Sequence, residues 1–172
     1  MTKNIRTAVF CGMTVGVLIT AGKDTQAADP PDTATVLGKL HKSDQKEIAA
    51  GKMAQKNGKS HAVKDYGKML EKDHGAADKK VAALAKQEKI DLAAATPADS
   101  AGDMSGMASD PMFDQKFGQE MLDDHKKDIA EVTAARDNTA DVKLKKLLTD
   151  LLPTLKKHED TAQNIVDAET KK

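Results

Sequence analysis

Glu71 and His74 stand three residues apart in the stretch KMLEKDHGAADKK, a spacing that puts both side chains on one side of a helix, as a Glu-x-x-His metal-binding pair requires. Asp73 precedes that histidine directly. A second histidine, His125, follows Asp124 in MLDDHKKD, and a third, His158, closes LPTLKKHED. A di-iron carboxylate site would use the Glu-x-x-His pair twice. Here the pair occurs once, since Leu155 stands where His158 would need its glutamate. A mixed site of imidazole and carboxylate for zinc, copper or iron remains open, because imidazole suits all three metals. A histidine on the apolar face of a helix is more usually a core residue hydrogen-bonded to a neighbour, and a general base is a third reading.

A softer donor set lies in GDMSGMASDPM, where Met104, Met107 and Met112 offer thioethers of the kind that hold Cu(I). The plain alternative is a flexible linker whose methionines pack against helix ends. No nucleophile constellation is present. There is no Gly-x-Ser-x-Gly elbow and no glycine-rich phosphate loop after a strand. The sequence therefore leans away from an enzyme.

The elements that would position these groups are helices. Aromatic residues are almost absent, Ala, Lys, Leu, Asp and Glu dominate, and no stretch alternates with the period of two that a strand requires. The pattern predicts an all-α fold of four helices, about 33–58, 61–88, 112–137 and 140–169, with a flexible loop at about 90–111. Gly58 ends the first and Ser60 caps the second; Asp110 and Pro111 open the third. Pro153 falls inside the fourth and is expected to kink it.

Placed at 100° per residue, the second segment gathers Val63, Tyr66, Leu70, Val81 and Leu84 on one face with His74 among them. The fourth gathers Leu144, Leu148, Leu151, Leu155 and Ile165 with His158. His125 shares the face of Phe117, Met121 and Val132, and Glu47 lies in the stripe of Val36, Leu40 and Ile48. Each helix thus aims one titratable group inward, where it needs a partner. Counting residues from the tight turns at 1.5 Å each places Glu47, His74 and His125 in one layer. The same count sets His158 roughly 10 Å away if its helix is straight.

The chain opens with a basic start at Lys3 and Arg6, an uncharged apolar run over 7–21, and small residues at Ala27 and Ala28. That is the pattern of a cleaved secretory signal peptide, residues 1–28. The single cysteine, Cys11, would leave with it, so the bundle of residues 29–172 must hold through its core alone. Of 172 residues, 144 remain, carrying 24 basic and 26 acidic side chains. This balance argues against nucleic acid as a partner, which rewards a basic face, and no membrane span is expected after cleavage.

The run SDQKEIAAGKMAQKNGKSHAVKDYGKMLEKDHGAADKKVAALAKQEKIDL, together with FDQKFGQEMLDDHKKDIAEV and LLPTLKKHEDTA, resembles the bacterial domain of unknown function 4142 family over about 35–168. The resemblance implies a ferritin-like up-down four-helix bundle, exported to the periplasm in Gram-negative bacteria and often labelled an outer-membrane protein. It implies no established activity. The family's recurring positions fall on Glu47, Asp73, His74, His125 and His158, and a tyrosine common in the family appears here as Phe117. A strandless bundle cannot form a membrane barrel, so "outer membrane" is read as cell envelope. The reading is an exported, non-catalytic binding or envelope-stress protein, with a homo-oligomer or an envelope protein as partner. The alternative is a periplasmic metal-binding protein for copper, iron or zinc.

Overall fold

The computed structural model describes residues 32–95 and 104–171. Four long helices make the body: α1 (Thr33–Asn57), α2 (His61–Gln87), α4 (Phe113–Asn138) and α5 (Val142–Thr170). A short α3 (Leu92–Ala95) and a single 3-10 turn (Met104–Met107) lie in what the sequence marks as loop. The residues read as a signal peptide lie outside those described. Among the described residues no helix is long and apolar enough to cross a membrane.

The helix ends follow local chemistry. Asp32 accepts from Thr35 N to open α1 and Ser60 accepts from Val63 N to open α2, while Asp141 accepts from Lys143 N and Leu144 N to open α5. Each satisfies amides that have no partner within the helix. The start of α4 differs from expectation. Asp110 accepts from Met112 N in a turn that precedes the helix, and α4 begins at Phe113 with no side-chain cap. Helix α2 ends with Ile90 N donating to Ala85 O and Lys89 N to Lys86 O, which forces Lys89 to a left-handed φ of 57°. α5 is one helix through Pro153.

Contacts at the two ends of the bundle set the topology. Buried Asp114, in the first turn of α4, accepts from Lys59 N at 2.8 Å and Ser60 N at 2.7 Å, so α4 starts beside the α1–α2 turn. At the other end Thr33 donates to Asp141 at 3.0 Å and Lys143 to Glu88 at 2.7 Å, so α5 starts where α1 begins and α2 ends. Helices α2 and α4 therefore run in the same direction, and segment 88–112 joins opposite ends of the bundle. The four long helices are thus joined by two tight turns and one long crossover. Every helix lies antiparallel to its neighbours in the ring α1–α2–α5–α4, and the ring is least closely packed between α1 and α4.

Helices α1 and α2 meet backbone to backbone. A Cβ added at Gly51 would lie 2.6 Å from Gly67 O, and one at Gly67 would lie 2.6 Å from Gly51 O. Only glycine fits at either position, and the crossing fixes the register of the two helices one to two turns from Glu47 and His74.

The interior has three storeys. Below, where α1 begins, Val36, Leu37, Val81, Leu84, Val132, Leu144, Leu148 and Leu152 pack together. Above, Ala54, Val63, Tyr66, Leu70, Phe113, Phe117, Met121 and Ile165 form a second core. Between them the apolar stripes are interrupted on all four helices by Asp44, Glu47, His74, His125 and His158, every one buried.

Candidate metal centre

The middle storey brings three imidazoles together. One ring nitrogen from each of His74, His125 and His158 lies within 4.8 Å of the other two. Ring centroids are 5.1 Å apart for His74 and His158, 5.2 Å for His125 and His158, and 5.7 Å for His74 and His125. The expected offset of His158 from this layer is overturned. On an α-helix the Cα–Cβ bonds tilt toward the N-terminus, and α4 and α5 run in opposite directions. The side chain of His125 leans up, that of His158 leans down, and the axial gap between their backbones closes.

Hydrogen bonds assign the nitrogens. His125 Nδ1 sits 2.8 Å from the carbonyl oxygen of Met121, which can only accept, so Nδ1 carries the proton and Nε2 presents its lone pair. His158 Nε2 sits 3.2 Å from Asp73 Oδ2, and donating to that carboxylate leaves the lone pair on Nδ1. These two lone pairs, His125 Nε2 and His158 Nδ1, then face one another at 3.2 Å. His74 repeats the pattern, with Nδ1 held at 2.8 Å by Asp44 Oδ1 and Nε2 buried without a partner.

A cation between the facing lone pairs resolves the conflict, and it is either a proton or a metal ion. Burial works against the proton. It pushes His74 and His158 down to about 4 and His125 to about 3, with His158 and His74 adding repulsion at His125 and His74 adding it at His158. The imidazoles are neutral near pH 7, the state in which they ligate metals. Two nitrogens sharing a tetrahedral zinc ion at 2.0–2.1 Å would stand about 3.3–3.4 Å apart, close to the 3.2 Å found.

The groups behind the rings also fit. Metal-bound histidines commonly donate their outer N–H to a carboxylate or a backbone carbonyl. Asp44, the Met121 carbonyl and Asp73 stand in those positions for His74, His125 and His158. Desolvation pushes Asp44 up to about 8, so its contact with His74 is a neutral hydrogen bond until a nearby cation draws the carboxyl to its ionised form. Tyr66 completes the surround, its hydroxyl donating to His158 O at 3.1 Å.

The remaining sequence candidates are placed elsewhere. Glu71 faces α1 near the surface, accepting from Gln55 at 2.7 Å, so the Glu-x-x-His pair does not act as one unit. Asp124 pairs with Lys46 at 2.6 Å and Asp128 accepts from Ser43 at 2.8 Å. Glu47 is buried in the same storey, its Oε2 unpartnered and its pKa raised to about 8 by burial and by Asp124 and Asp128, but it does not join the three-histidine group. Met107 packs on the upper core and Met112 is exposed, while the side chain of Met104 lies outside the described residues. Asp44 is the residue that sequence reasoning missed. It sits four residues after Leu40 and three before Glu47, inside the apolar stripe of α1, and that position is the signal that could have found it.

No curated protein matches this chain, and no solved structure does. The family model for the domain of unknown function DUF4142 matches residues 20–165, which takes in the whole of the three-histidine layer, all of α1, α2 and α4, and α5 as far as Ile165. The chain belongs to the DUF4142 family.

Proposed function

We propose that this protein is an exported helical bundle that binds one divalent transition-metal ion, zinc or copper(II), on His74, His125 and His158. The observation that carries the reading is the pair of lone pairs facing each other at 3.2 Å, fixed from behind by Met121 and Asp73. A core built only for packing would have turned one ring so that a proton lay between them. Three neutral nitrogens with no thiolate favour zinc and copper(II) over softer ions, and three protein ligands leave a coordination position for water or another small ligand. Export rests on the basic, apolar and small-residue pattern of residues 1–28, which points to the periplasm and cell envelope. Binding, rather than catalysis, is the role we favour, because among the described residues the acids that reach the rings, Asp44 and Asp73, sit on their outer nitrogens and no other carboxylate joins the three-histidine group.

The test is calorimetric titration of the metal-free protein with zinc and copper(II), beside His125→Ala. One equivalent should bind the parent protein, with copper(II) the tighter, and the variant should lose at least a hundredfold in affinity. Equal binding by both proteins would remove the histidine site.

A further inference from the structure

Between α1 and α4, where the ring of helices is loosest, a cavity of about 580 Å³ opens at the surface and reaches inward to Asp44, Asp73 and His74. This volume is in the range of small-molecule sites. Its walls are aliphatic, from Val36 and Leu40 on α1, Val132 on α4, and Leu148, Leu151 and Leu155 on α5. Its charge is one-sided: the lining holds Asp32, Asp73, Asp128 and Glu131, with the neutral carboxyl of Asp44, against the single lysine Lys39. The carboxylates have more acceptor capacity than the protein fills. Asp128 takes one hydrogen bond, from Ser43, and Asp44 Oδ2, behind the inner wall, takes none.

A loading channel for metal ions would need the acids but not the aliphatic walls. A site for a fatty acid would need the walls but would set its carboxylate among acidic side chains with one lysine to offset them. We infer that the cavity binds a small amphipathic organic amine, its ammonium group at the carboxylates of Asp73 and Asp128 and its apolar body against the leucines of α5. The apolar body gains from burial at roughly 25 cal/mol per Å², and an ammonium meeting carboxylates in a partly desolvated cleft makes charge-assisted hydrogen bonds. Of the three histidines only His74 borders the space, beside Asp44 and Asp73, so the amine site is tested on protein free of metal.

The experiment is calorimetric titration of the metal-free, folded protein with three probes that share one apolar body: 2-phenylethylammonium, 2-phenylethanol and phenylacetate. The ammonium should bind at one equivalent, the alcohol at least tenfold more weakly, and phenylacetate not measurably. Asp128→Asn, which keeps an oxygen for Ser43, should weaken the ammonium at least tenfold. Ala135→Phe, which fills the cavity from α4, should abolish its binding. Absence of ammonium binding to the parent protein, equal binding of ammonium and alcohol, or an unchanged affinity in Asp128→Asn would each overturn the inference. Repeating the parent titration on His125→Ala separates the two sites, since loss of that metal-ligating ring, which does not line the cavity, should leave amine binding within about twofold.

Discussion

Glu47 is a buried acid whose desolvation outweighs the nearby cation Lys46, and the cost of that can be measured. Its pKa is raised from 4.5 to about 8, first by burial and then by Asp124 and Asp128. Below about pH 4.5 the carboxyl is neutral in both the folded and the unfolded chain, so it contributes no pH-dependent term. As pH rises from there toward 8, the unfolded chain ionises and the folded one resists, and stability falls by about 1.4 kcal/mol per pH unit. Linkage gives a penalty of ~3 kcal/mol at about pH 7, approaching its full value of ~5 kcal/mol above pH 8. Glu47→Gln keeps the shape and removes the ionisation. In urea unfolding with chelator present, parent and variant should be within ~0.5 kcal/mol at about pH 4.5, and the variant should be more stable by ~3 kcal/mol at about pH 7. The three histidines are common to both proteins and cancel in the difference. A stability difference that does not change between about pH 4.5 and pH 8 would refute the reasoning, because it would mean that Glu47 finds a partner the buried geometry does not provide.

Other perturbations read other parts of the account. Asp73→Asn removes the charge behind His158 and should weaken zinc binding ~10–100-fold without unfolding the bundle, as measured by competition with a chromophoric chelator. Gly67→Ala should destabilise by ~1–3 kcal/mol or more, because its Cβ would press on Gly51 O and on Ala54. Gly75→Ala meets nothing within 4 Å, so it should stabilise by up to ~1 kcal/mol, and thermal unfolding of the pair should show shifts of opposite sign. Lys89→Gly should raise stability by ~0.5–1 kcal/mol in the same assay, because the residue sits at φ 57°, where a side chain is strained.

The helices were legible because their signals are local. Ser60 Oγ bonds Val63 N, and the stripe of Val63, Tyr66, Leu70, Val81 and Leu84 is the buried face of α2. The meeting of the histidines was not legible, because it depends on direction as well as spacing. Counting residues from the α4–α5 turn measures backbone height, whereas the opposed directions of α4 and α5 lean the two imidazoles toward each other, and Asp114 on Ser60 and Thr33 on Asp141 put the two tight turns at opposite ends. That connectivity is decided by a crossover whose polar composition carries no directional information. The Glu-x-x-His spacing likewise says that Glu71 and His74 share a side of α2, but the close crossing at Gly51 and Gly67 decides that Glu71 faces Gln55 near the surface while His74 faces the interior. Asp44 escaped because one-helix periodicity cannot distinguish a buried acid from an acid at the edge of a stripe. Its role appears only once His74 is brought to it from another helix.

The most direct test of the central claim is elemental analysis of the mature protein isolated from its own compartment without chelators or affinity tags, beside the double variant His74→Ala, His125→Ala. The account predicts close to one zinc or copper ion per chain in the parent protein and none in the variant, with both helical by circular dichroism. A parent protein that carries no metal after exposure to both ions, or a folded variant that retains it, would contradict the account.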